Sequence, residues 1–349
     1  MNVKILGAGI AGLTAAINLA KKGFNVEVHE KNSSLDKKTN NLQFLENWTT
    51  KEDVLSYLEF LHVKTDFYYK PWHSNEFISP TLKKYSGHSK KPLMYLVKRG
   101  SVKGSIDASL AKQAASMGVN IKYDSSMKSE EADIVDDGVH APSFIAIGVK
   151  FKLEHDDYFA ILLNNNISYK FYSYFIVNDG VGEVVVINPE GTDGLSSRLK
   201  LAVETFESLL KIDIPSKNKE FSATLSFDLP DTAKTNNCLF VGEAAGFQDA
   251  LAGFGMLYAF QSGHAAAKSI IEEKNYDELW KKGFLDMMSI SHENRRLFEG
   301  LNNRSFENII SLLDSDNFII RKLRGGNDFR LIMKKLYTRK IAKILNIFL

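Results

Sequence analysis

The first residues with chemistry in their spacing are Gly7, Gly9 and Gly12, in the run Gly7-Ala8-Gly9-Ile10-Ala11-Gly12. They follow a short β-type run, Val3-Lys4-Ile5-Leu6, and open a segment of alanines with Leu13, Ile17 and Leu19 that reads as a helix. Each glycine has a separate task in a dinucleotide turn. The first permits the tight strand-to-helix reversal, the second removes a side chain that would block a pyrophosphate, and the third lets helix and strand pack closely. The helix start, with the amides of Ile10 and Ala11, then points free N–H groups and a positive dipole end at phosphate oxygens. Gly23 is placed to stop that helix, and residues 25–30 form the next strand, ending at Glu30 and followed by Lys31. Glu30 lies roughly 20 residues beyond the glycines, where a carboxylate can accept hydrogen bonds from ribose hydroxyls and disfavours a 2′-phosphate. This half alone leaves NAD and FAD both open.

A second constellation decides between them. Gly242-Glu243-Ala244-Ala245-Gly246 follows the apolar strand Cys238-Leu239-Phe240-Val241, and Gly253-Phe254-Gly255-Met256 opens a predicted helix over 256–271. Glu243 is placed for the ribityl and pyrophosphate region, and the small residues after it keep the backbone close to a cofactor. The amides at the start of the 256–271 helix would face a flavin's pyrimidine end and stabilise negative charge on the reduced ring. The cofactor expected is FAD.

These segments resemble the FAD-binding elements of the flavoprotein family that contains geranylgeranyl reductases, lycopene cyclases and p-hydroxybenzoate-type monooxygenases. The likeness is greatest to geranylgeranyl reductase-related oxidoreductases. It extends through Tyr95-Leu96-Val97-Lys98-Arg99 with Ile106, Asp107 and Leu110, and through Tyr172-Ser173-Tyr174-Phe175. The resemblance implies that Arg99 sits at the cofactor, that the helix after it carries Asp107, and that Tyr172 and Tyr174 belong to an aromatic sheet motif over the substrate. Three departures bear on activity. Glu243 stands where relatives usually have Asp. Gly246 and Ala250 stand where the aromatic hydroxylases commonly have His and Pro, which lowers the hydroxylase reading. Residues 38–50 hold no cysteine, so a cysteine proton donor of the prenyl reductase kind is missing.

Tyr172 and Tyr174 share a face at strand spacing and are candidates to line a pocket or donate a proton, although such a stripe also fits a packed core. Asp249 could touch the flavin or simply tie its own loop. The histidines show no metal-ligand spacing, and Cys238 reads as an inert core thiol.

The elements that must position these residues are ordinary. Helices are expected over 51–61, 103–117 and 195–210, strands over 119–123, 132–135 and 221–227, and antiparallel sheet over 144–186. The fold class expected is α/β. A Rossmann-like FAD-binding domain is assembled from 1–70, 95–143 and 235–275, with a mostly antiparallel β substrate domain from 71–94 and 144–234 and a helical C-terminal region over 276–349. The composition is that of a globular protein, with 44% hydrophobic and 25% charged residues. A net charge of +2 gives no footprint for nucleic acid. No apolar run is long enough to span a membrane, so a cytoplasmic protein is expected. The basic, amphipathic stretch over 321–343 is a candidate for peripheral membrane contact or a solvated helix face.

The activity expected is FAD-dependent reduction of carbon–carbon double bonds in an apolar, isoprenoid or lipid-like small molecule. NAD(P)H or ferredoxin would be the external electron donor, since no second glycine fingerprint is present. The alternatives are an FAD-dependent monooxygenase and a non-catalytic flavin-binding protein.

Overall fold

The computed structural model describes residues 1–33, 41–215, 218–235, 238–311 and 333–336. The chain opens with β1 (Asn2–Leu6), α1 (Ile10–Lys21), β2 (Asn25–His29), β3 (Leu42–Glu46), α2 (Val54–Phe60) and β4 (Tyr69–Trp72). It continues with β5 (Ser74–Ile78), β6 (Lys84–His88), β7 (Met94–Lys98), α3 (Ile106–Ser116), β8 (Asn120–Lys122) and β9 (Ile134–Val135). Then come β10 (Phe144–Lys152), β11 (Tyr158–Leu162), β12 (Ser173–Asn178), β13 (Val181–Pro189), α4 (Leu195–Leu210) and β14 (Lys219–Leu225). The last part holds β15 (Lys234–Thr235), β16 (Cys238–Phe240), α5 (Met256–Glu272), α6 (Tyr276–Trp280), α7 (Asp286–Glu299) and α8 (Asn303–Ser311).

Two compact units result. The first gathers Met1–Pro71, Met94–Ala141 and Ser226–His292, and the second Trp72–Leu93, Pro142–Leu225 and Glu293–Leu349.

In the first unit a six-stranded sheet runs β15-β16-β9-β1-β2-β8. All neighbours are parallel except β15 and β16. β1 pairs with β2 on one side (Ile5 opposite Val28) and with β9 on the other (Leu6 opposite Val135). Its C-terminal end is therefore a topological switch point, where open parallel sheets form a ligand crevice. Helix α1 ends as expected at Gly23, which has φ +82°, with Gly23 N–H on the Ala20 carbonyl and Phe24 N–H on the Leu19 carbonyl. Residues 10–19 of α1 are all buried, because α5 lies across it. A Cβ on Gly263 of α5 would stand 2.2 Å from the Ala11 carbonyl oxygen, so only glycine permits that approach. Small residues in α1 thus serve helix crossing as well as the turn.

Two helices start later than their apolar periodicity predicts, and capping explains both. The Asp53 side chain accepts from Leu55 N–H at 3.0 Å, which begins α2 at Val54. Ser105 accepts from Ala108 N–H at 3.1 Å and begins α3 at Ile106. A three-stranded sheet, β3-β7-β4, is also formed, with Leu42 opposite Lys98 and Glu46 opposite Met94.

The second unit is built on a seven-stranded sheet, β14-β10-β13-β12-β11-β5-β6. It is antiparallel apart from the β11–β5 pair. Helix α4 buries Leu199, Ala202 and Phe206 among Phe175, Val184 and Val186 of that sheet. The basic stretch over 321–343 lies outside the described residues apart from 333–336, and no described helix is long and apolar enough to cross a membrane.

Candidate functional site

The first half of the site is the β1–α1 turn. Gly7 has φ +95° and donates its N–H to the His29 carbonyl at 2.7 Å, tying the turn to β2. Gly9 is the N-cap of α1 and supplies no side-chain cap. The first-turn amides of Ile10 and Ala11 therefore have no acceptor within the helix, the ordinary condition of an anion-binding helix start. Gly12 is hemmed in by the chain itself: a Cβ there would meet the Gly7 carbonyl oxygen at 2.4 Å.

Glu30 follows β2 and is buried at 5% exposure. Its carboxylate accepts Ala8 N–H at 3.1 Å, Asn32 N–H at 3.0 Å and Asn32 Nδ2 at 2.7 Å. Those bonds fix the acid beside the glycine turn, where the ribose of a dinucleotide is expected. Lys31, next to it, is exposed.

The second half begins where Val241 N–H leaves the sheet on the Val135 carbonyl. Gly242 takes φ +56° and donates to Ser262 Oγ at 2.9 Å. A Cβ on Gly242 would lie 3.1 Å from Ala11 Cβ, so the two motifs meet at this point. A 3₁₀ turn over Gly242–Ala245 follows, closed by Gly246 at φ +75°. Glu243 reaches solvent yet is surrounded by protein, as on the wall of a recess. That environment pushes its carboxyl above the usual range, and the charge of Arg99 opposes the rise.

Arg99 is itself engaged. Its Nε and Nη2 bind Asp107 at 2.8 and 3.2 Å, and its Nη1 binds Gln43 Oε1 at 2.8 Å. Asp107 also accepts Gly100 N–H at 2.9 Å. The guanidinium is held firmly by these bonds and still feels the charges of Glu243 and Asp136, beyond its partner Asp107.

The loop between the 3₁₀ turn and α5 is anchored at both ends. Phe247 packs on Trp280 and Phe284, with ring centroids 4.9 and 5.0 Å away. Phe254 meets the edge of Trp48 at 5.2 Å. Between them Asp249 accepts Leu251 N–H at 3.2 Å and Ala252 N–H at 2.7 Å, and also bonds the Ser291 hydroxyl. Asp249 therefore ties its loop, and Gly253 N–H closes the turn on its carbonyl at 2.9 Å. Helix α5 starts at Met256 with Gly255 as an N-cap lacking a side-chain acceptor. Like α1, it presents uncapped amides.

Every predicted cofactor residue thus lies in the first unit. Tyr172 and Tyr174 belong to the second, with ring centroids 6.4 Å apart and both half-buried. Burial, with Glu183 and Tyr172 nearby, holds the Tyr174 hydroxyl well above its ordinary pKa. Cys238 is buried and its thiol donates to the Ser129 carbonyl at 3.0 Å. Among the described residues no three His, Cys, Asp or Glu side chains are grouped to hold a metal.

Two residues at the site were missed in the sequence. Glu46 ends β3 at 2% exposure, its Oε2 has no partner, and burial raises its carboxyl to about 8. It stands near enough to Asp249 and Tyr258 for the charges to interact. Its only sequence signal was an acid closing the apolar run Leu42-Gln43-Phe44-Leu45. The other is Asp136, which the residue after a two-residue strand gives no means of singling out.

The glycine turn, the two uncapped helix starts, the placed Glu30 and the recess wall at Glu243 fit an extended dinucleotide. Comparisons with known proteins agree. A family model for an NAD(P)-binding Rossmann-like domain matches residues 5–36. A search of curated proteins by sequence gives no match. Among solved structures, a geranylgeranyl bacteriochlorophyll reductase-like protein from Thermoplasma acidophilum superposes with TM-score 0.76 at 16% identity, covering 100% of this chain and 99% of that one. P. aeruginosa PqsL, in complex with 2-aminobenzoylacetate, gives 0.59 at 14% identity over 89% of this chain and 99% of its own. A flavin-dependent brominase gives 0.59 at 14% identity over 100% and 98%. The likeness to geranylgeranyl reductase-related flavoproteins, carried in the sequence by short motifs, therefore holds as a shared α/β fold along the whole chain.

Proposed function

We propose that this chain is an FAD-dependent oxidoreductase that reduces carbon–carbon double bonds of an apolar, isoprenoid or lipid-like substrate. The observation that carries the cofactor assignment is the seating of Gly242 on Ala11, which joins the second glycine turn to the uncapped start of α1. The amides of Ile10 and Ala11 would hold the pyrophosphate, Glu30 the adenosine ribose, and Glu243 the ribityl chain. The first-turn amides of α5 would face the flavin's pyrimidine edge and favour negative charge there. Bound FAD supplies hydride chemistry, while the protein contributes position and electrostatics. Glu46, whose carboxyl burial raises to about 8, and the ring of Trp48 against Phe254 would make the surroundings of the α5 start largely apolar.

Two points support reduction over oxygen insertion: Gly246 and Ala250 stand where the hydroxylases commonly carry His and Pro, and the fold is nearer the reductase-like protein than PqsL or the brominase. The electron donor would be NAD(P)H or ferredoxin. The test is anaerobic reoxidation of the photoreduced, FAD-loaded protein by isoprenoid alkenes. Faster reoxidation with a saturated product supports the reading. Reoxidation by oxygen alone, with oxygen incorporated into substrate, would replace it with the monooxygenase reading.

A further inference from the structure

β9 ends beside β1, and the next residue, Asp136, donates its amide to the Leu6 carbonyl at 2.7 Å. Its side chain turns over the glycine turn. Oδ2 accepts Gly12 N–H at 2.7 Å, although the two residues are 124 apart in sequence. The same carboxylate would stand 2.3 Å from a Cβ placed on Gly9 and 3.2 Å from one placed on Gly242. The space opened by glycine at position 9 is the space a dinucleotide turn reserves for close approach of a pyrophosphate. Here that space is faced by a carboxylate of the chain itself.

The chemistry of the contact is ordinary, and its location is not. A carboxylate is favoured at a helix start, for the reasons that favour a phosphate there. Asp136 thus uses the dipole of the helix start that the cofactor's anion would use, through the Gly12 amide next to those of Ile10 and Ala11. Arg99, which feels the charge of Asp136, is committed to Asp107 and Gln43 and also faces Glu243. It is poorly placed to neutralise Asp136 and a pyrophosphate together. Like charges brought together in a concave, partly desolvated site oppose one another strongly.

We propose that Asp136 is a built-in competitor for the pyrophosphate seat, which lowers flavin affinity and makes FAD an exchangeable ligand of this chain. The proposal rests on the FAD reading above. When FAD binds, the Asp136 carboxylate has to swing from Gly9 or share the first-turn field with two phosphates. When FAD leaves, Asp136 takes back the Gly12 amide, so the turn keeps its shape.

The experiment is FAD titration of the full chain and of Asp136→Asn and Asp136→Ala, by flavin fluorescence and calorimetry, with thermal unfolding of each protein without flavin. Asp136→Asn keeps the shape of the side chain and guards against a folding failure in Asp136→Ala. The expected result is FAD binding about tenfold tighter or more in both variants, since like-charge repulsion of this kind costs more than that factor. Unfolding without flavin is expected at lower temperature, because the helix-start contact is weakened. A merely structural role predicts the same loss of stability but weaker FAD binding, and that result overturns the proposal. Equal affinity in all three proteins overturns it too and leaves the FAD reading intact. Failure of all three to take up FAD at large excess sinks the FAD reading and this proposal together. Inorganic pyrophosphate is a second probe, expected to raise the unfolding temperature of Asp136→Asn more than that of the parent chain.

Discussion

Replacing Glu46 by Gln tests whether the carboxyl at the end of β3 is held neutral. Burial raises its pKa from 4.5 to about 8, and the side chain is 2% exposed. The folded protein therefore keeps a proton that the unfolded chain releases across that window. Stability conferred by the neutral acid is full below about pH 4.5 and is lost progressively as pH rises towards 8. At about 1.4 kcal/mol per pH unit, the loss by pH 8 is on the order of 5 kcal/mol. Gln stays neutral throughout but adds amide hydrogens with no evident acceptor, a penalty of about 1–3 kcal/mol. Glu46→Gln should thus be the more stable protein at pH 8 by about 2–4 kcal/mol and slightly the less stable at pH 5. For a unit of this size that is a difference of roughly 5–10 °C in unfolding temperature at pH 8. Thermal unfolding of both proteins from pH 5 to 9, followed by tryptophan fluorescence, reads it directly, since Trp48 neighbours the site. Parallel pH profiles for the two proteins would show that Glu46 ionises normally and would refute the reasoning.

Other outcomes follow from the same geometry. Gly263→Ala should destabilise the first unit by about 3 kcal/mol or more, because its Cβ would press on the Ala11 carbonyl at 2.2 Å; denaturant unfolding checks this. Glu30→Ala should weaken FAD binding about tenfold or more, measured by flavin fluorescence, since the ribose acceptor and the bond to Ala8 N–H are both removed. His264 has its pKa lowered to about 4 by burial between α1 and α5. Its unfolded form gains a proton first, so stability is lost as pH falls from 6.5 towards 4, and His264→Gln should flatten that acid limb of the unfolding profile.

Much of this arrangement was legible in the chain. Gly7 and Gly23 are required by backbone conformation, and Gly9 and Gly12 by the atoms that crowd them, so their spacing alone placed β1, α1 and the turn. Helix α4 covers 195–210, the span its apolar spacing predicts, because Leu199, Ala202 and Phe206 fall on one buried face. The bounds of β4, β5 and β6 were not legible, since their pairing joins segments whose sequences carry no register signal, such as Phe77 with Ile161. Asp136 was invisible for a related reason. Its contact with Gly12 exists only because β9 pairs with β1, and a two-residue strand carries no periodicity. Glu46 gives no sign of burial in the sequence, since it is tertiary packing that covers it. Asp249 was open between a flavin contact and a loop tie, and its bonds to Leu251, Ala252 and Ser291 show a loop tie.

The claim on which the rest depends is that the β1–α1 turn and the Gly242–Met256 segment form one FAD site. Equilibrium titration of the purified chain with FAD, FMN and NADH tests it most directly. The account predicts saturable binding of one FAD per chain, with a perturbed visible flavin spectrum, weaker binding of FMN because it lacks the adenosine that Glu30 would hold, and loss of FAD binding in Gly9→Val. Absence of FAD uptake, or FAD uptake that Gly9→Val leaves unchanged, would contradict it.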